Sequence, residues 1–499
     1  MSHARRYYAP IVLPVAADFS VVRDAILDVD GSGRITYCGR AAEAPPTEGA
    51  IETRLSGILM PGLVNAHAHT AMTPLRGMGG DLPLMSWLQD VIWPAEDRMR
   101  PGDAYAGMLL GCIEMLRYGV TTSAEMYFHS EQVVAAALDA GSRVLVAPVY
   151  FDLPGRNWRC AMAAIGEWID QDGLRFGPAD RVELCYGPHS AYTLPFEALE
   201  ATAEAAAARG ALVHIHLAES QSEDLKQRLE YGSVPRLLRK AGLLNGRVLA
   251  AHSVHLSGAD VQLLAEHGVG VSHCPGSNAK LASGRADLAA FRAADVAVGL
   301  GTDGPASNDD LDLWEEMRLA AMLTRLSAMD ALAMTAREML LMATRGGAAA
   351  LGRADIGTLE PGRWADMIHL SVDGPPFSAG LDIPDEQLLA TACEPPLPTA
   401  NSSFEATPAL GRVEGGWKNV PSLAPRISGE RQPAWHRPGL PPAERVLALQ
   451  PGSEQGHVLH VNTLAAAPAE GHRLPPCRSP RPSRPACGPP SSTSLAAPA

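Results

Sequence analysis

Residues 59–72 read LMPGLVNAHAHTAM, and later parts of the chain repeat the pattern of this segment. It begins as an apolar strand and ends with His67 and His69, two positions apart. Because residues i and i+2 of a strand point to the same face, both imidazoles are predicted to converge at the strand's carboxyl end. Two solvent-facing histidines are the plain alternative, which the recurrence of further candidates at later strand ends disfavours.

Residues 61–350 alternate apolar runs with Ala-, Leu- and Glu-rich runs. RVLVAPVY at 143–150 is typical of a buried strand, and PFEALEATAEAAAARG at 195–210 is typical of a helix. Repeated strand–helix units over roughly 250–300 residues predict an α/β fold, a (β/α)8 barrel of the TIM type. Active sites of such barrels lie at the carboxyl ends of the strands.

The two chain ends are predicted to build a smaller β-sandwich domain. Residues 1–60 contain AILDVD and RITYCG on either side of a Gly-Ser-Gly turn, which favours a hairpin. Residues 351–392 contain IGTLEPGRWADMIHLSV, interpreted as strands that return to this domain. The C-terminal part is atypical, because residues 401–499 hold 17 of the 41 prolines. Residues 393–499 are therefore predicted to be disordered or to come from a reading-frame shift.

The chain of 499 residues carries a formal charge of −14. Residues 401–499 hold ten Lys and Arg against six Glu, a balance of +4, which leaves −18 for residues 1–400. Such an acidic body disfavours nucleic acid or an anionic membrane as partner. The eight cysteines form no CxxC pair, and no apolar run is typical of a signal peptide or a membrane span. A cytoplasmic protein is expected.

Further candidate metal ligands follow later apolar runs. HIHLAES supplies His214 and His216, of which His216 is predicted to be the ligand because only one of them is expected to face the site. GLGTDGPASN supplies Asp303. The set His67, His69, His216 and Asp303 suits one divalent metal ion, with zinc favoured and iron as the alternative. His129, His255 and His273 are interpreted as structural or solvated.

These motifs together resemble the amidohydrolase superfamily. The resemblance is greatest to its 5′-methylthioadenosine/S-adenosylhomocysteine deaminase branch, with triazine chlorohydrolases as relatives and aminodeoxyfutalosine deaminases as a further possibility. The match covers roughly residues 10–390 and rests on seven motifs: PGLVNAHAHTAM, LRGMGGDLPLMSWLQDVIWPAE, GPHSAYT, HIHLAES, AAHSVHL, VSHCPGSNAKLASG and GLGTDGPASNDDLDLWEEMRLA. It implies a hydrolase that releases ammonia from a 6-aminopurine nucleoside, through attack by a hydroxide generated at the metal.

The number of metal ions follows from the distribution of lysines. Binuclear members of the superfamily usually bridge their two metals with a carboxylated lysine on the fourth barrel strand. In this sequence no lysine precedes Lys226, which already follows His216. The lysine bridge is therefore not available. A Glu or Cys could take its place, but one metal ion is the simplest interpretation.

The resemblance also implies roles for individual residues. Asp303 would bind the metal and receive a proton from water, and His252 would hydrogen-bond the attacking hydroxide. Glu219 would carry a proton to the ring nitrogen and then to the leaving amine. Glu96 would accept hydrogen bonds from ribose hydroxyls, His189 would contact the nucleoside, and Ser307 is expected to face the same pocket. Trp87 and Met85 are interpreted as an apolar wall or as core, and Cys274 as a packed loop residue.

Two other interpretations stay open. A hydrolase of a triazine or another heterocycle would give Glu96 no ribose to hold. An inactive remnant would follow if the atypical C-terminal region damaged the protein. A homo-oligomer is suggested by the resemblance alone.

Overall fold

The computed structural model describes residues 4–153, 155–370, 385, 388–389 and 460–463. Among these residues, sixteen strands are found. In chain order they are β1 Arg5–Val12, β2 Val22–Val29, β3 Ile35–Arg40, β4 Ile51–Arg54, β5 Ile58–Pro61, β6 Leu63–Ala68, β7 Val120–Tyr127, β8 Arg143–Tyr150, β9 Arg175–Phe176, β10 Val182–Pro188, β11 Leu212–Leu217, β12 Arg247–His252, β13 Gly270–His273, β14 Val298–Leu300, β15 Asp366–Leu370 and β16 His460–Thr463.

The helices fill the intervals between the barrel strands. The α-helices are α1 Leu84–Ser86, α2 Trp93–Glu96, α3 Pro101–Arg117, α4 Ser130–Ala140, α5 Trp158–Asp172, α6 Phe196–Arg209, α7 Gln221–Tyr231, α8 Val234–Lys240, α9 Gly258–Glu266, α10 Pro275–Lys280, α11 Leu288–Ala293, α12 Pro305–Asn308, α13 Leu313–Ala328, α14 Ala336–Leu341 and α15 Gly347–Ala350. Two π-helical turns occur, at Trp87–Ile92 and Met342–Gly346. None of the helices in the described part of the chain has both the length and the hydropathy to span a bilayer.

Eight parallel strands close into a barrel. Their order is β6, β7, β8, β10, β11, β12, β13 and β14, and β14 pairs with β6 to complete the ring. The short strand β9 adds to β10 in the antiparallel sense. The barrel strands are buried along nearly their whole length, as expected where helices cover one face and side chains fill the other. The predicted eight-stranded parallel barrel is confirmed.

The small domain is formed by both ends of the described chain. Its mixed sheet has the order β16, β15, β5, β1, β2 and β3, with β4 also paired to β1. The predicted hairpin is present as β2 and β3, and β15 is the predicted return strand. β16 lies inside the region predicted to be disordered or frameshifted, and it pairs antiparallel with β15. The remainder of that region lies outside the described residues, so the domain boundaries stay predictions.

The small sheet runs directly into the barrel. β5 ends at Pro61 and β6 begins at Leu63, with Gly62 alone between them. A Cβ at Gly62 would lie 2.1 Å from the Thr121 side chain, so only glycine fits at this junction. Next to it, Arg143 at the start of β8 donates to both carboxylate oxygens of Asp366 on β15, at 2.7 and 3.2 Å.

Helix ends follow local sequence signals. Ser257 and Asp260 form a reciprocal capping box at the start of α9. α6 ends at Gly210, whose φ of +64° is readily adopted by glycine. These signals mark where α9 begins and where α6 ends before the chain enters β11.

Candidate metal centre and active site

Three barrel strands end in residues with left-handed backbone conformation. Ala218 after β11, His252 at the end of β12 and Asp303 after β14 have φ values of +46°, +65° and +59°. Non-glycine residues rarely adopt this region, and it costs of order 1–3 kcal/mol each where the surroundings enforce it. The sharp turns redirect side chains at the carboxyl end of the barrel, where the predicted site residues lie.

His67 and His69 come from the first barrel strand and its end. His67 is fully buried, and its Nδ1 lies 2.8 Å from Nε2 of His214. Nδ1 of His69 lies 2.5 Å from the carbonyl oxygen of Met126. In a neutral imidazole that donates from Nδ1, Nε2 carries the lone pair. The carbonyl oxygen makes Nδ1 of His69 the donor and leaves its Nε2 for a metal, and Nε2 of His67 is left in the same way when Nδ1 of His67 donates to His214.

His216 presents the same arrangement from β11. Its Nδ1 lies 2.8 Å from the carbonyl oxygen of His189, and its Nε2 lies 3.3 Å from Nε2 of His69. The expectation that only one of His214 and His216 faces inward is wrong. The two stand at i and i+2 of one strand and share a face, by the same rule that predicted His67 and His69 to converge. His214 lies behind His67 and orients its ring.

Asp303 divides its two oxygens between different partners. Oδ1 lies 3.3 Å from Nε2 of His67 and 3.1 Å from Nε2 of His69. Oδ2 accepts hydrogen bonds from the hydroxyls of Ser277, at 2.6 Å, and Ser307, at 2.8 Å. Burial opposes ionisation, but the contacts with His67 and His69 hold the pKa of Asp303 well below its usual range. Asp303 is thus a buried carboxylate held in place by two hydroxyls.

The four predicted ligands fit a small divalent cation. Neighbouring ligands of a tetrahedral zinc ion with bonds of 2.0–2.1 Å lie about 3.3–3.4 Å apart. Three distances match that spacing: Oδ1 of Asp303 lies 3.3 Å from Nε2 of His67 and 3.1 Å from Nε2 of His69, and Nε2 of His69 lies 3.3 Å from Nε2 of His216. Nε2 of His67 is buried without a hydrogen-bond partner among the described residues, and burial lowers the pKa of His67 to about 3. A neutral, unpartnered imidazole nitrogen fits a metal ligand.

Glu219 and His252 lie beside these ligands. Nε2 of His252 is 3.9 Å from Oε2 of Glu219, which is too long for a hydrogen bond but close enough for both to contact one substrate. Both side chains are buried. Burial raises the pKa of Glu219, which favours the protonated carboxyl that an acid must have.

A cavity of about 580 Å³, its open mouth included, extends from these residues. All predicted site residues line it except His67, which lies buried behind its wall. Much of the rest of its lining is apolar or aromatic, formed by Met72, Leu84, Trp87, Leu88, Ile92, Trp93, Phe128, Phe151 and Leu281. Trp87 is part of it, whereas Met85 packs against the core instead. An apolar slot with a few convergent polar groups suits a flat heterocycle.

Glu96 enters this cavity from α2, just after a π-helical turn. Burial raises the pKa of Glu96 to about 7, although a hydrogen bond with Tyr127 opposes the shift. The ring of His189 lies 4.7 Å from that of His216, and its Nδ1 lies 3.2 Å from the hydroxyls of Ser190 and Thr193. The hydroxyl of Ser307 is engaged with Asp303, although its residue lines the cavity.

Two residues that were not predicted from the sequence hold neighbouring parts of the site in place through hydrogen bonds. Glu125 on β7 is fully buried and accepts from both the backbone nitrogen and the hydroxyl of Thr70, which follows His69. Asn278 on α10 contacts His252. Glu125 follows Thr121, Thr122, Ser123 and Ala124, so no apolar run of the kind that precedes Asp303 marks it in the sequence. His129, His255 and His273 do not line the cavity, and Cys274 is buried.

Comparison with known proteins shows which family this chain is similar to. The model of the amidohydrolase family matches residues 58–409. A 5-methylthioadenosine/S-adenosylhomocysteine deaminase of Pelotomaculum thermopropionicum is 46% identical over 317 residues, which cover 62% of this chain and 71% of the relative. A 5′-deoxyadenosine deaminase of Methanothermobacter thermautotrophicus is 41% identical over 359 residues, covering 70% and 84%.

Solved structures of two zinc-containing hydrolases superpose on most of this chain. An adenosine deaminase of Xanthomonas campestris with bound zinc superposes with a TM-score of 0.72 at 36% identity, covering 78% of this chain and 89% of that one. An atrazine chlorohydrolase of Arthrobacter aurescens, complexed with zinc, gives 0.70 at 26% identity, covering 77% and 90%. With more than half of its length matched by the family model and a barrel that carries the histidine and aspartate cluster, this chain belongs to the amidohydrolase family.

Proposed function

We propose that this chain is a metal-dependent deaminase that converts a 6-aminopurine nucleoside to the 6-oxopurine and releases ammonia. The observation that carries the proposal is the cluster of His67, His69, His216 and Asp303, in which three distances between candidate ligand atoms match zinc spacing, with Glu219 and His252 beside it. Relatives named as deaminases of adenosine-type nucleosides and a zinc-containing neighbour support both the reaction and the ion.

The proposed metal ligands are His67, His69, His216 and Asp303. A divalent ion held there would make water acidic enough to provide hydroxide near neutral pH. Asp303, through Oδ1 or Oδ2, would accept a proton from that water, since its carboxylate already sits between the ligands and two hydroxyls. His252 would hold the attacking oxygen through Nε2, on the side facing Glu219.

Glu219 would manage the protons on the purine. As the water oxygen bonds to C6, the carboxyl proton of Glu219 passes to the adjacent ring nitrogen. Glu219 then takes the proton of the new C6 hydroxyl and passes it to the amine, so that the C6–N bond breaks, ammonia leaves and the 6-oxopurine forms. The proton that Asp303 received from the water returns to Glu219 and restores the acid. The burial that raises the pKa of Glu219 supports this role, because the residue must begin as an acid.

Substrate orientation is proposed to depend on Glu96 and His189. A carboxylate offers four acceptor sites and suits the vicinal diol of ribose. Glu96 and Glu219 line the same cavity, so one nucleoside can contact both. His189 stays neutral because burial lowers its pKa to about 3, and it is proposed to hydrogen-bond the nucleoside. Ser307 is proposed to act on Asp303 as well as to line the pocket.

One experiment tests the whole proposal. The purified chain is assayed for metal content and for ammonia release from 5′-methylthioadenosine, S-adenosylhomocysteine, adenosine, 5′-deoxyadenosine, aminodeoxyfutalosine and a chlorotriazine. We expect about one zinc or iron per chain and ammonia in step with the adenine-to-hypoxanthine absorbance change. Stripping the metal should abolish turnover, and added zinc should restore it.

The alternatives appear as other outcomes. Product from the triazine alone would favour a heterocycle hydrolase. A protein that binds no metal even after supplementation would be an inactive remnant. A cytoplasmic location and a homo-oligomer remain predictions; size-exclusion chromatography with light scattering measures the second.

A further inference from the structure

The short helix α10 brings two polar side chains to the site. The hydroxyl of Ser277 donates to Oδ2 of Asp303, and Oδ1 of Asn278 lies 2.9 Å from Nδ1 of His252. Asn278 and His252 are both buried, with 2% and 1% of their surface exposed. α10 therefore contacts one proposed metal ligand and one proposed catalytic residue at the same time.

We propose that Asn278 is a positioning residue that holds His252 in the tautomer with its proton on Nδ1, and that Glu316 fixes α10 so that Asn278 can do so. The inference rests on the proposed function only in that His252 is taken to bind the attacking water. The tautomer itself is a property of the resting protein and can be measured without any substrate.

The hydrogen bond determines where the imidazole proton lies. A neutral imidazole has one donor nitrogen and one acceptor nitrogen, and the partner of one sets the role of the other. Since the Asn278 carbonyl oxygen can only accept, Nδ1 of His252 must donate. Nε2 is left with a lone pair 3.9 Å from Oε2 of Glu219, and a ring nitrogen of His252 lies within 4.8 Å of the ligand atoms of His67 and His216. That lone pair can accept a hydrogen bond from the attacking water.

The other half of the Asn278 amide supports this interpretation. Its Nδ2 is buried and has no hydrogen-bond partner among the described residues. Leaving a buried donor unpaired is unfavourable, and such groups in folded proteins call for an explanation. A residue present for its acceptor oxygen explains why the unpaired donor is tolerated at this position.

Glu316 on α13 secures α10 and the Asp303 loop together. Its Oε2 accepts from the backbone nitrogen of Gly276, and its Oε1 accepts from Nδ2 of Asn308, both at 2.9 Å. Nδ2 of Asn308 also donates to the carbonyl oxygen of Thr302, next to Asp303. A fully buried carboxylate thus links the segment that carries Asn278 to the loop that carries Asp303.

The test measures by NMR which ring nitrogen of His252 carries the proton in the zinc-loaded protein. ¹⁵N-labelled histidine gives distinct nitrogen shifts for the two tautomers, and the His252 signal is assigned by its loss in His252→Gln. We expect Nδ1–H in the wild type. We expect the preference to be lost in Asn278→Leu and kept in Asn278→Asp, which retains the acceptor oxygen. Asn65→Leu is the matched control, because it removes another buried amide that bonds Thr302 instead.

Kinetics and metal content complete the test. Asn278→Leu should lower kcat by about 10–100-fold, the usual effect of losing a group that orients a functional histidine. KM and the metal content should change little, and Asn278→Asp should recover most of kcat. Glu316→Gln should shift the His252 signal in the same direction as Asn278→Leu, but less.

Several outcomes would overturn the inference. An Nε2–H tautomer in the wild type would do so even if every variant failed to fold, and so would unchanged kcat in a folded Asn278→Leu. If no nucleoside is deaminated while His252 still loses its Nδ1–H preference in Asn278→Leu, the proposed function fails and the positioning role stands.

Discussion

Two carboxylates in this cavity occupy different environments, and their substitution should have different consequences. Glu219 lies beside His252 and does not belong to the proposed ligand set, whereas Asp303 contacts His67 and His69 directly. Proton transfer and metal binding should therefore separate in single variants.

Glu219→Gln should keep its metal and lose turnover by about 10²–10⁴-fold, because the change removes a transferable proton but no ligand. Metal analysis and kcat on the same preparation measure the two effects. Asp303→Asn is the comparison variant and should lose metal as well. Loss of metal in Glu219→Gln would show that this division of roles is incorrect.

Glu96→Gln should lower kcat/KM for a ribonucleoside by about 10- to 150-fold, the equivalent of a charged hydrogen bond worth about 1.5–3 kcal/mol. The matched substrate is a 2′,3′-dideoxynucleoside, which lacks the diol. Wild type and variant should act on it equally. An equal fall on both substrates would mean that Glu96 does not hold the ribose.

At this scale the sequence was informative where a strand ends in a polar side chain. His67, His69, His216 and Asp303 all follow apolar runs, so strand alternation and the barrel rule predicted their meeting. His214 was misjudged by an error in applying that same alternation. Ser277 and Asn278 could not be predicted, because their contacts depend on how α10 packs across the barrel mouth.

At the scale of elements, α10 depends on a glycine. A Cβ added at Gly276 would lie 2.3 Å from both Oδ1 of Asn308 and Oε1 of Glu316. Helices α10 and α13 are thus in contact at a point where no side chain fits.

Gly276→Ala should cost about 1–3 kcal/mol of unfolding free energy through overpacking. It should also lower kcat, since α10 carries Asn278. Urea unfolding and steady-state kinetics measure the two effects. Gly102→Ala in α3, where a Cβ would meet nothing within 4 Å, is the control and should be neutral or slightly stabilising. Equal effects of the two substitutions would argue against the contact.

Element types were predictable from sequence for physical reasons. Buried parallel strands appear as continuous apolar runs, and Ser257 and Gly210 give local start and stop signals. The π-helical turn at Trp87–Ile92 was not predicted, because no residue type specifies the insertion of an extra residue in a helical turn. Its consequence is the placement of Glu96, which the sequence motif alone could not position.

At the scale of the whole molecule, the barrel and the small sheet are joined by a buried ion pair. Arg143 has 2% of its side chain exposed and Asp366 has 12%. Arg143 also donates to the carbonyl oxygens of Ala179 and Asp180. The pair thus connects the start of β8 and the loop before β10 to β15.

Asp366→Asn should destabilise the protein by about 3–5 kcal/mol, because it leaves the Arg143 charge buried without its partner. The midpoint of urea unfolding, followed by tryptophan fluorescence, measures the change. Glu197→Gln removes an exposed pair with Arg159, in which both side chains are about 60% exposed, and should cost under about 1 kcal/mol. A similar small effect for Asp366→Asn would mean that this joint contributes little.

β5 of the small sheet and β6 of the barrel are joined by Gly62 alone, and this short connection has a consequence for metal binding. Met60 pairs with Ile368 in the small sheet, and seven residues later the same extended backbone delivers His67. Any substitution that weakens the pairing of β15 with β5 therefore frees one end of the segment that carries His67 and His69, two of the four proposed ligands. Zinc occupancy should therefore report on whether the small sheet has folded, and it should decrease before the barrel itself unfolds.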